Sequence, residues 1–137
     1  MYFLDTNTCV FLLSNKFKEK SKITWEHIRT VPRNSIKIPS VVLAELCHGA
    51  AKSKFREKTF EKNHRFLAFY EVVPFDEHAA RVYGDIRAGL ETKGQIIGGN
   101  DLMIAAIALT HNAILVTNNT REFSRIEGLL LEDWSVT

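Results

Sequence analysis

Short apolar segments alternate with longer helical patterns along the whole chain, and this alternation constrains the fold more than any other feature. The apolar segments have the length and composition of strands, and several stretches between them carry apolar residues at helical spacing. Alternating strands and helices predict an α/β three-layer sandwich with a mainly parallel central sheet. The five predicted strands are residues 1–5, 36–38, 72–75, 113–117 and 129–131.

Capping residues mark the start of three predicted helices. Ser40, Asp76 and Asp101 each stand where a helical pattern begins, and such side chains accept hydrogen bonds from the free N–H groups of a first turn. The helix that Asp101 opens is apolar on all sides, which predicts that it is buried. The predicted helices are residues 7–14, 41–52, 55–70, 77–92 and 101–109.

Three further segments have a characteristic organisation. The helices over residues 41–52 and 55–70 are nearly contiguous, so a helical hairpin is expected. Residues 16–30 are rich in charge and their apolar residues are irregularly spaced, which predicts a mobile or loosely helical surface segment. Residues 117–120 are all polar and follow the clearest strand, so they are expected to form a turn.

The composition is that of an ordinary globular protein. The 137 residues fit one domain, 1–137, with 45% hydrophobic and 25% charged residues. The net charge of +2 permits a polyanionic partner without requiring one. Cys9 and Cys47 both lie in apolar runs, which predicts buried thiols in a reducing compartment and excludes a zinc cluster. We find no apolar stretch of membrane-spanning length and no signal peptide pattern, so a cytoplasmic protein without membrane contacts is expected.

Four polar residues stand in apolar surroundings where a parallel sheet would bring them together. Asp5 follows the first strand, and Asn119 lies in the turn after the fourth. Glu45 and Asp101 belong to largely apolar helices. Ligands usually bind beyond the carboxyl ends of parallel strands, and buried carboxylates are costly unless they are paired or bind a metal. A cation shared by the three carboxylates is therefore expected.

Each of the four residues also has a separate structural explanation that the sequence leaves open. Asp5 and Asp101 could cap the helices that follow them. Glu45 could pair with a distant lysine or arginine, and Asn119 could be an ordinary turn residue. Either of the two residues after Asp5 could start the first helix in its place, which favours the ligand role over capping for this aspartate.

The type of donor atom indicates a hard cation. Carboxylate oxygens without a cysteine or histidine cluster select Mg²⁺ or Mn²⁺, and two such ions could clamp the oxygens of a phosphodiester displacement. Glu45–His48 and Glu61–His64 have the E-x-x-H spacing of di-iron bundles, but that architecture requires four long helices. Asp5 could also be the nucleophile of an aspartyl-phosphate phosphatase, although Asn7 stands where that class has a second aspartate.

Four segments carry motifs in a characteristic order over nearly the whole chain. They are Leu4–Asn7, Ser40–Leu46 with Gly49, Gly98–Ala106 and Val116–Phe123. Together they resemble the PIN-domain ribonucleases, and specifically the VapC-type toxins of bacterial toxin–antitoxin pairs. The resemblance implies an Mg²⁺- or Mn²⁺-dependent endoribonuclease that cleaves tRNA or another structured RNA and inhibits translation. A catalytically weak PIN-like module that binds RNA or protein is the alternative.

The resemblance also assigns roles to individual residues. It implies that the metal ligands are Asp5, Glu45 and Asp101. The fourth family position, often an aspartate, is Asn119 here, which implies that it orients water or holds the metal indirectly. Glu122 could supply the missing charge. The expected supporting residues are Thr6, Asn7 and Thr117, with the threonine hydroxyls bonding to carboxylates or to a phosphate.

The partners implied by the resemblance are RNA and a cognate antitoxin whose tail covers the active site. A homodimer or a hetero-oligomer with the antitoxin is expected. The hairpin over residues 41–70 is the predicted contact region for the antitoxin. Trp25, Phe55 and Tyr70 could contribute to it, and packing in the core is the default expectation for all three. Specificity for RNA is expected to come from basic surface groups around the pocket. These are Lys16, Lys18, Lys20, Lys52 and Arg87.

Overall fold

The computed structural model describes residues 1–137, and its centre is a sheet of five strands. The strands are β1 (Tyr2–Leu4), β2 (Ile36–Pro39), β3 (Glu71–Val73), β4 (Ile114–Val116) and β5 (Leu130–Glu132). They are arranged in the order β3-β2-β1-β4-β5, and every neighbouring pair is parallel. The predicted α/β sandwich with a mainly parallel sheet is confirmed, and the sheet is entirely parallel.

Seven helices connect the strands. They are α1 (Thr6–Leu13), α2 (Lys18–Ile28), α3 (Ser40–Ala51), α4 (Arg56–Leu67), α5 (Glu77–Thr92), α6 (Gly99–Thr110) and α7 (Thr120–Phe123). The chain moves across the sheet in one direction from β1 to β3 and in the other from β3 to β5. Right-handed crossovers therefore put α1 to α4 on one face and α5 to α7 on the other. None of the helices is both long and apolar enough to span a membrane.

The central strand β1 lies at a switch point of the topology. The chain leaves β1 toward β2 on one side, whereas the other edge of β1 pairs with the much later strand β4. Leu4 is in register with Val116, so Asp5 and Thr117 leave the sheet side by side. The N–H of Asp5 donates to the carbonyl of Val116 at 3.0 Å. The crevice beyond the carboxyl ends at such a point is where α/β sheets bind ligands.

The core lies on both faces of the central strands. Phe3, Leu4 and Leu115 are fully buried between the helical layers. Ile104–Ala108 of α6 is also fully buried, because α6 packs against α5 and α3 as well as against the sheet. This packing confirms the prediction that a helix apolar on all sides belongs to the core. It also fixes the first turn of α6 at the carboxyl ends of the strands.

The segment over residues 16–30, predicted to be mobile or loosely helical, is instead a regular helix over Lys18–Ile28. Thr24 and Ile28 are buried, and Trp25 Nε1 donates to the carbonyl of Leu12 at 3.2 Å. These few contacts join α2 to α1. The prediction was wrong because α2 is rich in lysine and glutamate and buries only a narrow face, so its sequence has no clear apolar periodicity.

The predicted caps have different outcomes. Asp76 caps α5, since its Oδ1 accepts from the N–H of Ala79 at 2.9 Å. Ser40 does not cap α3, because the helix begins at Ser40 itself after Pro39. The hydroxyl of Ser40 instead accepts a hydrogen bond from the N–H of Phe75 at 3.0 Å, which fastens the start of α3 to the end of β3.

The predicted helical hairpin is confirmed by α3 and α4, which pack against each other. Asn63 on α4 is buried in this interface, and its side-chain amide donates to the carbonyl of Leu46 at 3.3 Å. Cys9 is buried as predicted, but Cys47 is exposed on α3. The prediction of two buried thiols was therefore wrong for Cys47, whose apolar neighbours in sequence face a different side of the helix.

Candidate active site

Asp5 is the most deeply buried of the candidate carboxylates, with 4% of its surface exposed. Its Oδ1 accepts a hydrogen bond from the N–H of Thr8 at 2.9 Å, which caps α1. The preference against capping by Asp5 was therefore wrong, although a cap occupies only one of the two carboxylate oxygens. Burial raises the pKa of Asp5, hydrogen bonds from Thr117 and Thr8 lower it, and the charge of Glu45 raises it.

Thr117 joins the end of β4 to this carboxylate and is itself fully buried. Its side chain lies close enough to Asp5 to lower the pKa of that carboxyl, and its hydroxyl accepts from the N–H of Asn119 at 2.9 Å. A hydroxyl group can donate and accept at the same time. Thr117 therefore holds both the first aspartate and the polar turn that follows β4.

Glu45 reaches the same region from the middle of α3. Its Oε1 accepts a hydrogen bond from the hydroxyl of Thr6 at 2.5 Å, and Thr6 is the first residue of α1. Glu45 has no ion pair with a lysine or arginine, so the alternative explanation of a distant basic partner does not apply. The contact with Thr6 places Glu45 beside Asp5.

Asp101 lies in the first turn of α6, which begins at Gly99, so Asp101 is not the cap of this helix. Its side chain is only partly buried. Burial and then the negative charges of Asp5, Glu122 and Glu45 raise the pKa of Asp101 to about 6. Four carboxylates therefore share one region at the carboxyl edge of the sheet.

Asn119 and Glu122 form a pair on the other side of this region. The side-chain amide of Asn119 donates to Glu122 Oε2 at 2.8 Å. Glu122 lies in α7, a single turn that periodicity could not predict, and its charge acts on Asp101. The geometry therefore makes Asn119 a donor that holds Glu122 toward the acidic group.

The four carboxylates have no basic side chain within ion-pair distance. No three acidic, histidine or cysteine side chains converge closely enough to enclose a metal ion by themselves. Mg²⁺ is usually held by one or two carboxylates, with water and substrate phosphate completing its shell. The unbalanced charge and the all-oxygen donors fit a Mg²⁺ or Mn²⁺ ion of this kind, and they do not fit zinc.

Asn7 stands at the rim of the region rather than among the carboxylates. It is exposed, and its side-chain amide donates to Asn118 Oδ1 at 3.3 Å. This contact ties the first turn of α1 to the turn after β4. Asn7 therefore contributes to the shape of the crevice without touching the acidic residues.

A cleft of about 460 Å³ opens beside Glu45. Glu45, His48 and Lys52 line it from one face of α3, and Asn100 and Met103 line it from α6. Lys52 was predicted to contribute to specificity, whereas His48 was considered only as part of a di-iron E-x-x-H pair and was given no place in the pocket. The same spacing could have placed His48 in the pocket, because residues three and seven positions after Glu45 share its helix face.

The other basic groups predicted to surround the pocket do not line this cleft. Arg87 instead donates to the hydroxyl of Tyr83 at 2.8 Å on α5. Lys20 lies 5.4 Å from the ring centroid of Phe11, on the face of α1 and α2. Of the five predicted groups, only Lys52 borders the cleft.

Two alternative chemistries are not supported by the geometry. Glu61 pairs with Arg65 at 3.2 Å on the exposed surface of α4, and no E-x-x-H pairs converge on a metal. Asp5 is almost completely buried and capped to α1, which leaves it poorly placed to attack a phosphate as a nucleophile.

Comparison with known proteins gives consistent matches. Residues 2–129 match the PIN domain family. The chain is 45% identical over 134 residues to the ribonuclease VapC2 of Rickettsia felis, with 98% of each chain covered. It is 40% identical over 136 residues to the tRNA(fMet)-specific endonuclease VapC of Salmonella typhimurium, with 97% of each covered. It also superposes on a chain of Rickettsia felis VapBC2 bound to a promoter DNA fragment, with a TM-score of 0.85, 44% identity, and 97% and 98% coverage.

Proposed function

We propose that this chain, which belongs to the PIN-domain family and within it to the VapC ribonucleases, is a metal-dependent endoribonuclease and the toxin of a toxin–antitoxin pair. The observation that carries the proposal is the group of four carboxylates at the switch point of the sheet, which no basic side chain balances. Such a group favours divalent cations and, through them, the phosphates of RNA.

Asp5, Glu45 and Asp101 would hold Mg²⁺ or Mn²⁺. A bound ion of this kind supplies an activated water and stabilises negative charge on the phosphate. The chain's own hydroxyl groups do the positioning: Thr6 orients Glu45, and Thr117 holds Asp5. Both donors are neutral, so they fix the carboxylates without cancelling the charge that attracts the cation.

Glu122 would supply the fourth negative charge, and Asn119 would position it. The hydrogen bond of 2.8 Å between their side chains supports this division of roles. An amide is a weaker ligand for a hard cation than a carboxylate, and here the amide nitrogen is already engaged. The fourth acidic position of the site would thus be Glu122 in α7, three residues after Asn119 in the turn.

The proposed substrate is the initiator tRNA. The Salmonella typhimurium relative, 40% identical over nearly its whole length, is named a tRNA(fMet)-specific endonuclease. Cleavage of this tRNA would remove a molecule required to start protein synthesis, so the chain would inhibit translation in the cytoplasm.

The proposed protein partner is a cognate antitoxin. The chain superposes on the VapC component of solved VapBC complexes from Rickettsia felis and Salmonella typhimurium. A homodimer within such a complex, and an antitoxin contact on the hairpin over residues 41–70, remain predictions from the sequence.

The test is cleavage of an initiator tRNA transcript with Mg²⁺ or Mn²⁺, followed by mapping of the new ends. Cleavage should disappear in EDTA and in Asp101→Asn, and it should persist in the control Asp85→Asn, which alters an exposed aspartate of α5. Undiminished cleavage by Asp101→Asn, or cleavage in the presence of EDTA, would contradict the metal-dependent mechanism. A phosphorylated Asp5 would indicate the phosphatase alternative.

A further inference from the structure

The hairpin of α3 and α4 contains one of the two most basic segments of the chain. Residues 52–65 contain six lysines and arginines and two glutamates, an excess of four positive charges. Because the whole chain has a net charge of +2, the remaining residues together carry a net charge of −2. Residues 16–33 carry the same excess of four positive charges. Of the two basic segments, only residues 52–65 contribute a side chain, that of Lys52, to the cleft beside Glu45.

Most of this charge is available to a ligand. Arg56 and Arg65 lie near glutamates of their own helix, with N···O distances of 3.9 and 3.2 Å. The lysines of the segment form no ion pair. They are Lys52, Lys54, Lys58 and Lys62. Solvated lysines bind phosphates at little desolvation cost, and the release of counterions from the nucleic acid favours the complex.

Phe55 is the most exposed aromatic side chain of the protein, with 66% of its surface accessible. The surrounding backbone is well fixed, because the N–H of Phe55 donates to Ser53 Oγ at 3.1 Å and its carbonyl accepts from the N–H of Thr59 at 2.9 Å. Lys58 Nζ lies 6.0 Å from the centroid of the ring. An exposed ring between lysines is the arrangement by which proteins stack unpaired bases while they contact the backbone.

This surface adjoins the cleft beside Glu45 through Lys52. Lys52 belongs both to the cleft wall and to the basic turn. It lies seven residues after Glu45 on the same face of α3, which is about 10 Å along the helix axis. An RNA strand that leaves Glu45 along this wall would pass Lys52, and Phe55 follows three residues later in the turn.

We propose that the turn between α3 and α4, residues 52–58, is an RNA-docking arm. Its lysines contact backbone phosphates, and Phe55 stacks on an unpaired base of the substrate near the cleaved bond. The occupant is a looped or single-stranded RNA segment, because a base must be free of its helix to stack on a side chain. This inference rests on the proposed ribonuclease function and adds the surface that binds the substrate. It differs from both sequence-based expectations for Phe55, which were packing in the core and a contribution to the antitoxin contact.

The first experiment measures binding of an initiator tRNA transcript to Asp101→Asn protein, which is expected to leave the RNA intact. Adding Phe55→Ala should weaken binding about tenfold, and Phe55→Trp should preserve it. The matched control is Phe69→Ala. Phe69 is 59% exposed and lies beside Arg33, with 5.3 Å between the guanidinium carbon and the ring centroid. It stands at the far end of α4, so its removal should not change binding.

The second experiment tests the lysines through salt dependence. Each phosphate contact on a single strand contributes about 0.7 to the slope of log K against log salt concentration. The double variant Lys54→Gln/Lys58→Gln should therefore reduce the slope by about 1.4. Arg29→Gln/Arg33→Gln removes two charges away from the arm and should leave the slope unchanged. Thermal melts should show that all variants are folded.

The outcomes separate the arm from the ribonuclease function. If wild-type protein cleaves the tRNA but the Phe55 and lysine variants match their controls, the arm is refuted and the ribonuclease function stands. If Phe55→Ala loses only its complex with the co-expressed cognate antitoxin and keeps its affinity for RNA, the surface is a protein interface and the proposal is wrong. If wild-type protein neither binds nor cleaves RNA, the proposed function fails and the arm fails with it.

Discussion

Replacing Asp101 with asparagine is expected to stabilise the metal-free protein at neutral pH while removing RNA cleavage. Burial and the charges of Asp5, Glu122 and Glu45 raise the pKa of Asp101 from 3.8 to about 6. A carboxyl group with a raised pKa stabilises the folded state below its unfolded pKa and loses that contribution as the pH rises through its folded pKa. The ionised aspartate is therefore a destabilising charge above about pH 6, and asparagine carries no such charge.

The size of the effect follows from the shift and from the exposure of the side chain. A shift of about two pH units corresponds to roughly 3 kcal/mol of folding free energy. Asp101 is only partly buried, so solvent screening reduces the expected gain to about 1 kcal/mol. In a chain of this length, about 1 kcal/mol raises Tm by roughly 3–4 °C.

The assay is thermal unfolding in EDTA from about pH 4 to about pH 8, with Asp85→Asn as control. The advantage of Asp101→Asn should be largest near neutral pH and should vanish toward pH 4, where the wild-type aspartate is protonated as well. Adding Mg²⁺ should stabilise the wild type more than the variant, because ligands that bind only the folded state raise its stability. A variant that is less stable than wild type at neutral pH, or a difference that does not change with pH, would refute the account of clustered carboxylates.

Three other substitutions test separate parts of the structure. Thr6→Val removes the hydroxyl that donates to Glu45, so the cleavage rate should fall about 10- to 100-fold with little change in Tm, and Thr6→Ser should restore it. Glu122→Gln should weaken Mg²⁺ binding measured by calorimetry. If Asn119 were the ligand instead, Glu122→Gln would leave Mg²⁺ affinity unchanged and a substitution of Asn119 would lower it. Asp76→Ala removes the cap of α5 and should lower the free energy of unfolding by about 1 kcal/mol in denaturant titrations while leaving cleavage unchanged.

The sheet was predictable because strands of a buried parallel sheet are short and apolar on both faces, as in the segment around Leu115. The position of Asp76 likewise identified the start of α5 from local chemistry alone. The outcome for Ser40 could not be predicted, because its hydroxyl accepts from Phe75, which is distant in sequence. The regular helix α2 was missed because its buried face is limited to a few residues, among them Thr24 and Ile28.

The candidate site residues were also partly predictable from local sequence. Asp5, Glu45 and Asp101 stood out because a carboxylate within an apolar segment requires a partner. Their proximity depends on the order of the strands, which no local pattern specifies. The donation from Asn119 to Glu122 could not be foreseen either, since it requires the single turn of α7 to bring the two side chains together.

The hydrogen bonds around the carboxylates explain how like charges are held together in a folded chain. Each contact to Asp5, Glu45 and Glu122 comes from a neutral donor: a threonine hydroxyl, a backbone N–H or an amide. A lysine or arginine in the same place would stabilise the fold more, but it would also neutralise the charge and occupy the oxygens. Neutral donors fix the direction of each carboxylate and leave the repulsion between them uncompensated. The pKa of Asp101 is raised mainly by burial and further by the negative charges of its neighbours. The fold thus retains a local instability that the proposed divalent cation would relieve, and cation affinity and the stability of the metal-free protein are expected to change in opposite directions when these carboxylates are neutralised.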